Sequence, residues 1–290
     1  MRSSALICGL IAFCITSSNA AEISLKDDLE RSIVLKQEAQ RIVTLAPFLT
    51  ELVFAAGAGE RVVGVSMYSD YPEEAKKLPQ VSSAAGFDIE RIAALRPDLV
   101  LVWRDAVRTE DIERIRQFGA QVFVAQARRL DDVPRLLLLV GRLTGRNVDS
   151  LVLDYRGQLA RLRRANLAKP PIRALLEVWH RPLTTISGRH FMNEALEICG
   201  ARNVFDDLEV VAPVVSWEQV YERNPDVIVG VGSAASLEEF RANWKPRAAL
   251  AAVKSDHLVF VDPDTLQRPT TRTPQGVLQL CDALDRARLR

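Results

Sequence analysis

Two glutamates are the first residues whose placement suggests chemistry. "DIERIAALRPDLVLV" (88–102) and "SWEQVYERNPDVIVG" (216–230) carry one phrase twice. In each, a small polar residue (Asp88, Ser216) is followed two places on by Glu90 or Glu218, then by Pro-Asp and an apolar run. Asp88 and Ser216 are good N-caps, and Ser216 with Gln219 makes a capping box. A Glu in a first turn is favoured by the helix dipole by about 0.3–1 kcal/mol, which is sufficient reason for either one alone. The same placement in both halves adds a second reading. Two exposed carboxylates, one per half, could engage two basic sites on a symmetric partner. The three histidines, His180, His190 and His257, are the candidate metal ligands. None is spaced with another His or Cys as a metal-site pair, so each reads first as a surface or loop residue. His180 is the one that follows an expected strand, where such folds place cleft loops. No GxxxxGK[ST], HExxH, GxSxG or paired CxxC occurs, which weakens ATPase, zinc-protease and serine-hydrolase readings.

The N-terminus bears on compartment. Arg2 is followed by an apolar run, Ala5 to Thr16, and by small residues at Ser18-Asn19-Ala20. This predicts a secretory signal over 1–21, cleaved after Ala20 or Ala21, and export to the periplasm. The run is short of the roughly 20 apolar residues that span a bilayer. Phe13 is too bulky before Cys14 to favour lipidation. Cys199 and Cys281 then remain as an even pair in an oxidising compartment. A disulfide between them is predicted, with two buried free thiols as the alternative. At that loop length the chain-entropy limit is about 4–5 kcal/mol. The 290 residues are 48% hydrophobic and 26% charged with a net charge of +1, so composition supplies no reason to propose nucleic acid or a membrane surface as partner.

The elements that must position these residues alternate. "RIVTLA" (41–46), "RVVGVS" (61–66), "DLVLVW" (98–103) and "QVFVA" (121–125) read as strands, with helices over 47–59, 87–95 and 109–119 between them. Continuous apolar strands between helices predict a parallel sheet covered on both faces. Between Asp131 and Ala168 no strand is expected. One helix stops near Gly145, and a second, capped by Asn147, runs from Val148 to about Asn166. Alternation then resumes: strands at 173–179, 226–231 and 257–262, helices at 191–200, 216–223 and 236–243, and a last helix carrying Cys281. The expected fold is α/β, two Rossmann-like lobes with parallel sheets joined by a single long backbone helix. The expected division is signal 1–21, N-terminal lobe 22–130, helical linker 131–168 and C-terminal lobe 169–290. The shared phrase suggests pseudo-symmetric halves.

These residues resemble a known family. "RIVTLAPFLTELVFAAGAGERVVGVSMYSDYPEEAKKLPQV", "FDIERIAALRPDLVLVWR", "EICGARNVF", "VSWEQV" and "LQLCDAL" are similar to the BtuF-like periplasmic proteins that deliver cobalamin (vitamin B12) to an ABC importer. They belong to the helical-backbone class of solute-binding proteins, which also takes haem and ferric siderophores. The resemblance covers nearly the whole mature chain. It implies ligand capture in a cleft between lobes with limited closure, and no catalysis. Glu90 and Glu218 become docking points for the two-fold permease of the importer. Tyr68 and Trp103 match aromatic cleft positions, and Arg268 a basic one, suited to a corrin ring and its amide or phosphate groups. Three further positions that are large aromatics in the best-known member are Ala84, Thr184 and Ala212 here, with Trp179 and Trp217 nearby to compensate. Expected ligand contacts are therefore Tyr68, Trp103, Trp179 and Arg268. Expected partners are a corrinoid and the permease, with the chain itself a monomer. No metal site and no cofactor beyond the transported ligand are expected. The departures at Ala84, Thr184 and Ala212 keep two ligands open: cobalamin or a related corrinoid, and, in the same fold, haem or a ferric siderophore. Tyr68 or His180 would then be an axial ligand.

Overall fold

A computed structural model describes residues 22–232 and 236–289; the expected signal segment 1–21 lies outside the described residues. The first lobe opens with an antiparallel hairpin, β1 (Ile23–Lys26) and β2 (Ser32–Leu35). It continues through β3 (Ile42–Thr44), α1 (Pro47–Ala55), β4 (Val62–Val65) and a small hairpin of β5 (Ser82–Ser83) and β6 (Gly86–Phe87). Then come α2 (Ile89–Ala94), β7 (Leu99–Trp103), α3 (Thr109–Gln117) and β8 (Gln121–Ala125). Two helices follow, α4 (Asp132–Thr144) and α5 (Asp149–Asn166). The second lobe holds β9 (Ile172–Glu177), a hairpin of β10 (Trp179–His180) and β11 (Leu183–Thr184), α6 (Phe191–Ile198), β12 (Ala201–Asn203) and α7 (Trp217–Arg223). It ends with β13 (Val227–Gly230), α8 (Leu237–Trp244), α9 (Ala251–Lys254), β14 (Leu258–Phe260), α10 (Pro263–Leu266) and α11 (Thr273–Arg288).

The two lobes repeat one topology. The parallel sheets run β4-β3-β7-β8 and β12-β9-β13-β14. Counted within its own lobe, each reads second-first-third-fourth. The repeated phrase occupies the same place in both, since α2 leads into β7 and α7 into β13. The Pro-Asp that follows is structural in both lobes: Asp98 accepts from the backbone of Gln40 and Arg41, and Asp226 from that of Arg173. Each thereby fixes the start of its lobe's central strand.

α4 and α5 carry the connection. Gly145, with φ 66°, sits in the left-handed region that an L side chain avoids, and it ends α4 where the sequence placed the stop. α5 begins at Asp149, one residue later than expected, because the Asn147 side chain accepts from the Asp149 N–H. At 1.5 Å per residue α5 is about 27 Å long. α4 packs on α1, and α5 packs on α6 and α11. One buried apolar cluster therefore runs from β3 and α1 through α4 and α5 to α6 and α11, while the far face of each sheet has its own core. The Cys199–Cys281 disulfide is present, joining the end of α6 to α11.

Several elements differ from the sequence reading. α1 stops at Ala55, ahead of Gly57 at φ 77°. β9 stops at Glu177, so Trp179 belongs to the following hairpin and not to the strand. β12 was not expected: Arg202 is exposed between buried Ala201 and Asn203, and three residues give no apolar run. Among the described residues no helix is long and apolar enough to cross a membrane.

Candidate functional site

The carboxyl ends of both sheets feed loops that meet at the junction of the lobes, where open α/β sheets bind ligands. After β4 the chain enters the segment Ser66–Pro72. A chain of buried hydroxyls holds it: Thr44 to Thr50 at 2.7 Å, Thr50 to Ser69 at 3.0 Å, and Ser66 to Ser69 at 3.1 Å. The Met67 N–H donates to Ser82 Oγ at 2.8 Å, tying this loop to the β5–β6 hairpin. Between these anchors Tyr68 sits at φ 65° with 68% of its surface exposed. A bulky residue in the left-handed region is strained, and such strain is held at sites where presentation matters. Trp103 closes β7 and meets Phe48 edge to face, with ring centroids 6.1 Å apart. Tyr68, Trp103 and Ala84 line one cavity of about 500 Å3, with Pro47, Phe87 and Arg108 also on its wall. The structure thus brings two of the expected aromatics together, beside the alanine that replaces a third.

Trp179 is on the other lobe. Its alternation with His180 is the period of two of a strand. Trp179 points outward, 54% exposed, while His180 points inward and is buried. Trp179 lies opposite Thr184 across the hairpin, and Thr184 bridges to Val214. Val210, Ala212 and Val214 are exposed on that segment, while Pro213 and Val215 are buried. On the second lobe Trp179 thus stands beside small and aliphatic side chains, and it does not line the cavity around Tyr68.

His180 is buried, contrary to the expectation of a surface or loop residue, whereas His190 and His257 lie in loops and are partly buried. His180 Nδ1 lies 3.2 Å from the buried Glu177 carboxylate, which also accepts from Trp244 Nε1 at 2.6 Å. His180 packs edge-on to Trp217 and Trp244. His190 caps α6, its Nδ1 accepting from the Met192 N–H. Burial, with the nearby Arg128 charge, pushes its pKa down to about 4, so the imidazole is neutral. His257 Nδ1 lies 3.0 Å from the Asp226 carbonyl. Trp217 does not compensate for missing aromatics at the cavity around Tyr68; it packs on Trp244 and lies under the Arg247 guanidinium, 4.0 Å from its ring centre.

Arg268 occupies the junction, in a setting that sequence reasoning missed. Its Nη1 donates to Glu51 at 3.2 Å and to Asp70 at 2.6 Å, and its Nη2 meets Asp264 at 3.0 Å. Arg272 grips Glu51 through Nε at 2.9 Å and Nη2 at 2.8 Å, and lies over the Tyr71 ring. Glu51 is 3% exposed, on the otherwise uncharged α1 of the first lobe; both arginines come from the second. Desolvation alone would raise the Asp70 pKa and lower that of Arg268. The bonds and charges between them outweigh it, so Asp70 lies below the usual carboxylate range and Arg268 above the usual guanidinium range. Arg129 with Glu194, at 3.1 Å, is a second ion pair between lobes.

The two glutamates of the repeated phrase lie at equivalent places. Asp88 accepts from the Arg91 N–H, and Ser216 and Gln219 form the full capping box, so each Glu is the second residue of its helix. Each helix runs back along the strand that follows it, which places its N-terminus at the rim where β7 or β13 ends. Glu90 is exposed and 3.3 Å from Arg114. Glu218 is exposed, and its pKa is lowered by its own backbone N–H and by the Ser216 hydroxyl.

Residues 42–265 match the family model described as periplasmic binding protein. A vitamin B12-binding protein of Vibrio parahaemolyticus is 31% identical over 248 residues, spanning 85% of this chain and 90% of that one. One from Pectobacterium atrosepticum is 33% identical over 257 residues, 86% of this chain and 90% of its own. Among solved structures, the periplasmic vitamin B12-binding protein BtuF of Vibrio cholerae superposes with a TM-score of 0.78 at 34% identity, covering 87% of this chain and 99% of that one. The haem-binding protein RhuT of Roseiflexus sp. RS-1 gives 0.76 at 24% identity over 86% and 99%, a likeness of fold.

Proposed function

The chain belongs to the periplasmic binding protein family, and from that membership we propose that it captures cobalamin or a close corrinoid between its lobes and delivers it to an ABC importer. The observation that carries the ligand is the cavity beside Tyr68 and Trp103, in a chain whose relatives at 31–33% identity are vitamin B12-binding proteins. A corrin ring is a broad apolar plate, and exposed aromatic side chains on both lobes, Tyr68 and Trp103 on the first and Trp179 on the second, suit it. The role is binding, in the periplasm, as a monomer, with the corrinoid as cargo and no chemistry of its own. Glu90 and Glu218 are the docking points. Their equivalent places in two lobes of like topology would let a two-fold permease engage both. The domain division is read as 22–130, 131–168 and 169–290, with the middle segment holding α4 and α5. Because α5 and the shared core tie the lobes together, the cleft is largely preformed and wide hinge closure is not expected.

The test is calorimetric titration of the ligand-free mature protein with cyanocobalamin, with haem run beside it. One-to-one binding below micromolar, weak haem binding, and a loss of at least tenfold in Trp103→Ala support the reading. Tight haem binding without cyanocobalamin binding would refute it.

A further inference from the structure

We propose that Glu51, Asp70, Asp264, Arg268 and Arg272 together set the charge class of the ligand. On this proposal the cleft favours a macrocycle whose rim carries uncharged amides over one whose rim carries carboxylates. The inference rests on the corrinoid reading and narrows it.

A guanidinium at a cleft ordinarily reads as a receptor for carboxylate or phosphate. Here that capacity is already used. Arg268 meets three carboxylate groups, Glu51 at 3.2 Å, Asp70 at 2.6 Å and Asp264 at 3.0 Å, and its side chain is only 16% exposed. Arg272 is held in a fork on Glu51. Three carboxylates against two guanidinium groups leave one net negative charge. Glu51 is buried in α1 and cannot turn away. Lys76, whose charge also acts on Asp70, is itself bonded to Glu73 at 2.7 Å. Asp70 and Asp264 are nearly half exposed, so the unbalanced charge lies on the open side of the cluster. Asp70 is two residues from Tyr68, which lines the cavity described above, and its N–H donates to the Tyr68 carbonyl at 3.0 Å. An anionic rim would have to displace one of these carboxylates or lie beside it, and like charges juxtaposed in a partly dry site are costly. An amide rim meets no such charge, and its N–H groups can donate to Asp70 and Asp264.

The test compares two probes with one ring and opposite rims: dicyanocobinamide, which carries amides, and dicyanocobyrinic acid, which carries carboxylates. Dissociation constants are measured at low salt for the full mature protein and for Asp70→Asn, Asp264→Asn and the double variant. The wild type is expected to prefer the amide probe. Each single variant should move the ratio of the two constants toward the carboxylate probe by about tenfold, equivalent to about 1.4 kcal/mol, and the double variant further. Added salt should shrink the shift. Both changes are isosteric and at half-exposed positions, and either alone suffices if the other variant does not fold. Amide-probe binding with the ratio within twofold of wild type in all variants would overturn the inference and leave the corrinoid reading standing. Binding of neither probe by any of the four proteins would overturn both.

Discussion

Replacing Glu51 by Gln is expected to lower stability by about 3–5 kcal/mol, the range for breaking a buried ion pair from one side. Glu51 accepts three hydrogen bonds, from Arg268 Nη1 at 3.2 Å and from Arg272 Nε and Nη2 at 2.9 and 2.8 Å. A Gln offers one carbonyl oxygen and turns its amide nitrogen toward guanidinium donors. At least one bond to a charged group is lost, worth about 1.5–3 kcal/mol, and Arg272 keeps a charge with no counterion in direct contact. Arg268 loses less, because Asp70 and Asp264 remain. The measurement is urea unfolding at pH 7, followed by tryptophan fluorescence and far-ultraviolet circular dichroism. Removing both partners as Glu51→Leu with Arg272→Leu should recover most of the loss, because desolvating a pair costs nearly what its attraction returns. Separation of one transition into two in Glu51→Gln would fit the same account, since the pair spans the lobes. A cost below about 1 kcal/mol with a single transition would show that water screens these charges and that this cluster does not hold the lobes together.

Three further outcomes are expected. Cys199 and Cys281 are 82 residues apart in sequence, so reductant should destabilise the wild type by at most about 4–5 kcal/mol and leave the Cys199→Ser, Cys281→Ser double variant unmoved. His190, with its pKa near 4 in the folded chain and an ordinary value of 6.5, takes up a proton in the unfolded chain that the folded chain refuses. Stability should therefore fall as pH drops from 6.5 toward 4, by up to about 3 kcal/mol, and unfolding curves of His190→Asn should show a shallower slope across that window. Replacing Glu90 and Glu218 together by Ala should cut transport by the reconstituted importer at least tenfold while corrinoid affinity stays within twofold; transport equal to wild type would remove the docking role.

What the sequence made legible follows from the range of the interactions involved. The capped helices at Asp88 and Ser216, the stop at Gly145 and the buried strands are written in neighbouring residues, and they stand where periodicity and capping place them. β12 escaped because it is three residues long and alternates. The burial of His180 and the packing of Trp217 escaped because they depend on Glu177, Trp244 and Arg247, which arrive from separate elements. Tyr68 could be named, but not its strained presentation, which is enforced by Thr44, Thr50 and Ser69 beneath it.

The ion cluster shows where a local signal did exist and was not decisive. Glu51 is the only charged residue in "PFLTELVFA", the residues of α1, and a carboxylate on a helix with no other charge predicts a buried partner. Nothing nearby in sequence supplies one; the partners lie 217 and 221 residues away. Arg268 alone, read as a ligand contact, invited the opposite inference about the cleft, since a free arginine attracts anions and one held by three carboxylates does not. Residue type therefore locates a site more readily than it fixes its sign. The sign depends on which charges the fold brings together, and at this junction those charges come from both lobes.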